Sequence, residues 1–135
     1  MNPGFVTHNN MIVLQWEETG VSRVHLGILS RRQFDASGQS LRHSPLAASV
    51  VWLVDDFRGS WIERDLSGWL DRIAACVAAV SASSGPRRHA VVVASGMVRR
   101  VLRRLLRLVP AAVRPGGMTR LFDCPLAARR WAAAA

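Results

Sequence analysis

The sequence predicts one small α/β domain, in which helices pack on a mixed, mostly parallel sheet of five strands. Short apolar runs of strand length alternate along the chain with longer segments of helical periodicity. The 135 residues suffice for one core without disulfides and are too few for two ordinary domains. Half of the residues are hydrophobic and a fifth are charged, which is typical of a globular chain. We expect the domain to span residues 10–135, after a flexible segment at residues 1–9.

The first elements are predicted to form an antiparallel hairpin. Met11–Trp16 is a short apolar run that ends in a Glu-Glu-Thr-Gly turn signal, and residues 21–29 alternate with the period of a strand. Residues 30–46 then predict a short irregular helix, because Gly38 and Pro45 interrupt its periodicity.

Two continuous apolar runs, at residues 49–54 and 88–94, predict neighbouring inner strands that are buried on both faces. A helix is expected after each, at residues 61–80 and at residues 96–109, where Pro110 ends it. A loop over 111–117, a last short strand over 118–122 and a terminal helix over 125–135 follow. The predicted order is therefore β-β-α-β-α-β-α-β-α.

Two short motifs and this element order carry a family resemblance. Phe57-Arg58-Gly59-Ser60-Trp61 follows a strand that ends in acidic residues, and Arg88-His89-Ala90-Val91-Val92-Val93 precedes Leu121-Phe122-Asp123 and the pair Ala128 and Trp131. From about Asn10 onward, the chain resembles the SpoIIAA-like group of the STAS superfamily. The resemblance implies a STAS-like fold and a non-enzymatic regulatory module. It does not carry over a phosphorylated serine, because Ser60 lacks the surrounding Asp-Ser-Ser-Gly motif.

The predicted ligand site lies at the end of the third strand. Open α/β sheets bind ligands beyond the carboxyl ends of their parallel strands. We therefore expect a partner protein or a small apolar ligand to contact Asp55, Asp56, Phe57, Ser60 and Trp61. A second hypothesis is a metal-assisted enzyme in which the two adjacent carboxylates hold Mg²⁺. The simpler alternatives are that one aspartate pairs with Arg58 and that Ser60 caps the following helix.

Charge is distributed unevenly along the chain. The net charge is +9 and all 18 basic residues are arginines, a composition that GC-biased coding also produces. Seven arginines and eight acids in residues 1–75 give −1, whereas eleven arginines and one acid in residues 76–135 give +10. One face of the predicted helix 96–109 carries Arg99, Arg100, Arg103, Arg104 and Arg107. This stripe predicts either a surface for an acidic membrane, nucleic acid or acidic protein, or an ordinary solvated face. It has no aromatic residue for base stacking, which disfavours nucleic acid.

Apart from the alternative at Asp55 and Asp56, no enzyme, cofactor or metal is predicted. The four histidines and two cysteines lack metal-ligand spacing, and there is no nucleophile elbow or glycine-rich phosphate loop. The longest apolar stretch, residues 73–80, is too short to cross a bilayer. We expect reduced cysteines, with Cys76 buried and inert, and a cytoplasmic protein. The identity of a partner and a homodimer are left open.

Overall fold

A computed structural model describes residues 11–27, 31–44, 46–60, 66–83 and 85–134, so the predicted flexible segment at residues 1–9 lies outside the described residues. Five strands alternate with helices in the predicted order. The strands are β1 (Met11–Trp16), β2 (Gly20–Gly27), β3 (Trp52–Ser60), β4 (Arg88–Val92) and β5 (Thr119–Phe122). The helices are α1 (Arg31–His43), α2 (Leu66–Ala82), α3 (Val98–Leu108), α4 (Pro110–Val113) and α5 (Pro125–Ala133).

The strands form one sheet in the order β1-β2-β3-β4-β5. β1 and β2 are antiparallel and every other pair is parallel, which confirms the hairpin and the predicted fold class. Val54 lies opposite Ala90, so the two predicted inner strands are neighbours. Within the described part of the chain, no helix combines the length and the apolar character that a membrane span needs.

The two faces of the sheet are covered by different helices. Leu53, Asp55 and Phe57 share one face by strand alternation, and Phe57 packs there with residues of α2 and α3 such as Ile73 and Leu105. On the other face, Trp52 and Val54 pack with alanines of α5. The core thus consists of two apolar layers on either side of one sheet.

Three predictions about these elements were wrong, and the predicted start of the helix after β3 lies outside the described residues. β3 continues six residues beyond Val54 to Ser60, because its outer part still pairs with β2, where Gly27 lies opposite Ser60. Helix α1 runs through Gly38 without interruption. The predicted loop at 111–117 overlaps the short helix α4, since Pro110 ends α3 and also begins α4, a position that proline favours. α2 is described only from Leu66, and residues 61–65 lie outside the described residues.

Gly20 allows Trp52 to pack across the junction of β2 and β3. The two residues lie opposite each other, and a Cβ atom added at Gly20 would lie 2.0 Å from the indole ring. Trp52 is buried, and its indole Nε1 donates a hydrogen bond to Thr19 Oγ1 at 2.9 Å. Because residue 20 has no side chain, the indole ring of Trp52, the largest buried residue of the α5-side core, has room to pack there.

We expect Gly20→Ala to destabilise the protein by about 1–3 kcal/mol, because the Trp52 ring must move out of a packed site. Gly85→Ala is the matched control, since no heavy atom lies within 4 Å of the Cβ it would add. Urea unfolding of both variants measures the difference. Equal urea midpoints for the two variants would show that contact with Trp52 does not restrict which side chain residue 20 can carry.

Candidate functional site

The structure brings five polar side chains together beneath α2. β2 supplies Arg23 and His25, β3 supplies Asp55, β4 supplies His89 and α2 supplies Cys76. Asp55 and both histidines are 0% exposed, so the set is internal. We call these five residues the buried polar cluster. Strand alternation creates it, because residues 23 and 25 share a face and Arg23 lies opposite Asp55 in the sheet.

The carboxylate of Asp55 is the centre of this cluster. Arg23 donates from Nε to Oδ1 at 2.6 Å and from Nη2 to Oδ2 at 2.8 Å, which makes a bidentate pair. Since an ionised carboxylate only accepts hydrogen bonds, each histidine donates from Nε2. The distances are 2.8 Å from His25 to Oδ1 and 2.6 Å from His89 to Oδ2. The Cys76 thiol also donates to Oδ2, with Sγ at 3.3 Å, and accepts from Arg23 Nη2 at 3.0 Å.

These contacts determine the charge of the cluster. Burial by itself raises the pKa of Asp55, but the Arg23 guanidinium and the two histidine hydrogen bonds together hold that pKa well below its usual range. Burial by itself lowers the pKa of Arg23, but its attraction to Asp55, its hydrogen bonds to that carboxylate and the contribution of Cys76 together raise this pKa above its usual value. Burial is the main cause that raises the pKa of the Cys76 thiol. The cluster therefore holds an ionised Arg–Asp pair and a protonated thiol.

The cluster has the spacing of a metal site but not its chemistry. One donor atom each from Asp55, Cys76 and His89 lies within 4.8 Å of the others. A metal would require a thiolate and a free carboxylate lone pair. Both oxygens of Asp55 instead accept hydrogen bonds from the Arg23 cation, whose positive charge would repel a metal ion beside it. The donor set therefore fits a structural ion-pair network and does not fit a metal centre.

Asp56 does not share a site with Asp55, which corrects the paired-carboxylate hypothesis. Consecutive residues of a strand point to opposite faces, and Asp56 lies opposite Val92 in the register, on the α5 side. Arg58 Nη2 donates to Asp56 Oδ2 at 2.8 Å, and the Arg58 backbone N–H donates to Oδ1 at 3.0 Å. The simpler prediction, that one aspartate pairs with Arg58, is confirmed.

The rest of the predicted contact zone is also used by the fold. Phe57 is buried and stacks on His25, with ring centroids 4.1 Å apart. Ser60 is half-buried; its hydroxyl donates to the Phe57 carbonyl at 3.0 Å and accepts from Trp69 Nε1 at 3.3 Å. Trp61, and the backbone N–H groups that Ser60 would cap, lie outside the described residues. Asp55, Asp56 and Phe57 therefore do not line an open crevice.

The arginine stripe lies on the outer surface of α3. Arg99, Arg100, Arg103 and Arg107 are exposed, and no acidic group in the described part of the chain is within ion-pair distance of them. Leu102 and Leu106 are 37% and 47% exposed and lie on the same outer surface. We call the exposed set the basic face of α3; it comprises Arg99, Arg100, Leu102, Arg103, Leu106 and Arg107.

Arg104, the fifth predicted residue of the stripe, differs from the other four. Its guanidinium pairs with Asp71 and lies 3.4 Å from Ser67 Oγ, both on α2. Val101 and Leu105 anchor the inner side of α3 in the core. α3 is therefore anchored to the core on its inner side and to α2 through Arg104, and its basic face points toward solvent.

Sequence reasoning missed the buried polar cluster as a unit. Its members lie on four elements, and Cys76 reads locally as one more apolar residue of a helix. The available signal was polar residues at buried positions of predicted strands: Arg23 and His25 two apart in one strand, and His89 inside an apolar run.

Comparisons of the chain with protein-family models, with curated proteins and with solved structures found no match. The resemblance to the STAS superfamily therefore remains a prediction from the sequence.

We expect Asp55→Asn to destabilise the protein by about 3–5 kcal/mol, because it leaves the buried Arg23 cation without its counter-charge. Asp56→Asn is the matched control one residue along, where the partner Arg58 is 44% exposed and water can replace the carboxylate. Arg23→Met and the double variant complete a cycle in denaturant unfolding. The double variant should lose less stability than the two single losses added together. Additive losses would contradict a coupled pair.

The lowered pKa of Asp55 also predicts a specific acid sensitivity. In the unfolded chain this carboxyl titrates near its ordinary value of about 3.9. The stabilisation is therefore complete above that pH, and it is lost as the pH falls from about 4 toward the lower native pKa. The free energy of unfolding of the unmodified protein should fall over this window more steeply than that of Asp55→Asn. Equal slopes would show that Asp55 keeps its ordinary pKa in the native state.

Proposed function

We propose that this protein is a non-enzymatic binding module that attaches to anionic membrane surfaces through the basic face of α3. The observation that carries the proposal is the pairing of four exposed, uncompensated arginines with two exposed leucines on one anchored helix. A STAS-like regulatory role in the cytoplasm, as the sequence resemblance implies, is compatible with such attachment and is part of the proposal.

The arrangement of side chains around α3 supports binding to a lipid surface. At 100° per residue, Leu102 and Leu106 fall between the core-facing Val101 and Leu105 and the arc of arginines. A helix with an apolar border beside a cationic arc suits the plane of the membrane interface, with leucines at the acyl boundary and guanidinium groups at the phosphates. Nucleic-acid binding has less support, because α3 has no aromatic side chain on which a base could stack.

The positive charge of the sequence around α3 also supports binding to an anionic membrane. Residues 76–135 contain eleven arginines and a single acid, Asp123, so the half of the chain that contains α3 is strongly positive. Arg104 is held by Asp71 and helps to orient α3 against α2. The competing site, at Asp55, Asp56 and Phe57, has less support because those side chains are buried and engaged within the fold.

The test is co-sedimentation with vesicles of phosphatidylcholine, with and without phosphatidylserine. Each arginine near an anionic surface contributes about 1 kcal/mol, so changing Arg99, Arg103 and Arg107 to serine should weaken binding roughly a hundredfold. The matched control changes three exposed arginines outside α3, Arg32, Arg87 and Arg130, to serine and removes the same charge. The control variant should keep most of the vesicle binding. Added salt should weaken the vesicle binding of the unmodified protein.

A second pair of changes separates the membrane from nucleic acid. Leu102→Ser with Leu106→Ser should reduce vesicle binding while all arginines remain. The proposal fails if the unmodified protein ignores phosphatidylserine vesicles at low salt, or if both triple variants lose binding equally. It also fails if the protein prefers duplex DNA and the leucine changes have no effect on vesicle binding.

A further inference from the structure

Strand β1 is an edge strand with the composition of an inner one. The strand order places β1 and β5 at the two edges of the sheet, and among the described residues β1 pairs with β2 alone. Edge strands expose unpaired backbone N–H and C=O groups, which proteins usually protect with charges, prolines or very short length. β5 follows this rule, since it has four residues and carries the exposed Arg120. β1 does not.

The side chains of β1 are apolar on both faces of the sheet. Ile12, Leu14 and Trp16 alternate with Met11 and Val13, and the sixth residue is the uncharged Gln15. All six are at least partly exposed, and Met11 is 38% exposed. Helix α1 packs on β1, and Leu14 and Trp16 pack against the core beside Val21, so the apolar faces of the strand are used within the chain. What stays open among the described residues is the outer backbone edge of β1, which has neither a charge nor a proline to protect it.

We propose that the partner strand is β1 of a second copy, paired antiparallel about a two-fold axis into one continuous sheet. A two-fold interface requires a surface that complements itself. β1 satisfies this requirement, because reversing it against itself about Val13 places the two Val13 residues opposite each other, Ile12 opposite Leu14 and Met11 opposite Gln15, each pair on the same face of the sheet. No charge meets a like charge along its six residues.

The distribution of charge favours this edge over any other surface for self-association. Residues 1–75, which include β1, β2 and β3, sum to −1, whereas residues 76–135 sum to +10. Two copies that meet at β1 keep their positive halves apart. Two copies that meet at β5 would bring Arg120 and the neighbouring α3 arginines together, which repulsion opposes. The inference does not depend on the membrane proposal, because none of its residues belongs to the basic face of α3.

The test is light scattering of the full chain during size-exclusion chromatography. The unmodified protein should run as a dimer, and Val13→Lys should make it a monomer, because it places two ammonium groups close to the two-fold axis. Leu108→Lys is the matched control, since Leu108 is 51% exposed at the end of α3, a helix that packs against α2 and β5 at the other end of the strand order. It should remain a dimer. Circular dichroism shows whether each variant is folded.

A second measurement uses the unmodified protein and covers the case in which Val13→Lys does not fold. Backbone hydrogen exchange of residues 11–16 should slow as the protein concentration rises, while exchange in β5 should not change. A monomer at every concentration would overturn the proposal, even with slow exchange in β1, because another segment of the same chain would then occupy the edge. A dimer that survives Val13→Lys, or exchange in β1 that is independent of concentration, would overturn it too.

Discussion

The buried ion pair between Arg23 and Asp55 is the constraint on which the arrangement of the sheet depends. Removing two such charges from water costs several kcal/mol per ion, and their attraction repays this only where the remaining hydrogen bonds are also made. His25, His89 and Cys76 supply those bonds from three further positions. A slip of one residue in β3 would turn Asp55 toward the apolar α5 side, where it has none of these partners. The pair therefore selects one register for β2, β3 and β4, and one face for α2.

This constraint also explains why Asp55 and Phe57, two residues of the predicted ligand site, are buried within the fold. The carboxylate that sequence reasoning placed at an open strand end accepts five donated hydrogen bonds inside the protein. Phe57 contributes its ring to the same region by stacking on His25. Because the strand-end chemistry is used for folding, binding functions are better sought on the outer surfaces. Among the described residues, the basic face of α3 and the edge of β1 are two outer surfaces whose composition differs from that of an ordinary solvated surface.

The features that the sequence predicted well are those encoded by near neighbours in the chain. The alternation of residues 21–27 and the apolar runs before Asp55 and around Val91 predict strands, and the spacing of arginines along α3 predicts its outer face. The errors arose where distant residues decide the outcome. Asp55-Asp56 reads as a strand end, since charges are usually excluded from inner strands. Arg23, 32 residues away, reverses that expectation. For the same reason the sequence did not reveal the buried polar cluster, because no local pattern shows that Arg23, Cys76 and His89 meet.

The strand order also decides how the two proposed surfaces relate to each other. The strands lie in the sheet in the same order as in the chain. The nearly neutral residues 1–75 therefore supply β1, β2 and β3 at one edge of the sheet, and the basic residues 76–135 supply β4 and β5 at the other edge. Neighbouring strands are rotated by about 20–25°. From β4 of one copy to β4 of a second, there are three steps within each copy and one across the β1 edges, so the accumulated rotation is roughly 140–175°. The two basic faces of such a dimer would therefore point in nearly opposite directions. A flat bilayer would engage one α3 at a time, so the proposed pairing through β1 would add little affinity for a single membrane and would instead suit contact with two.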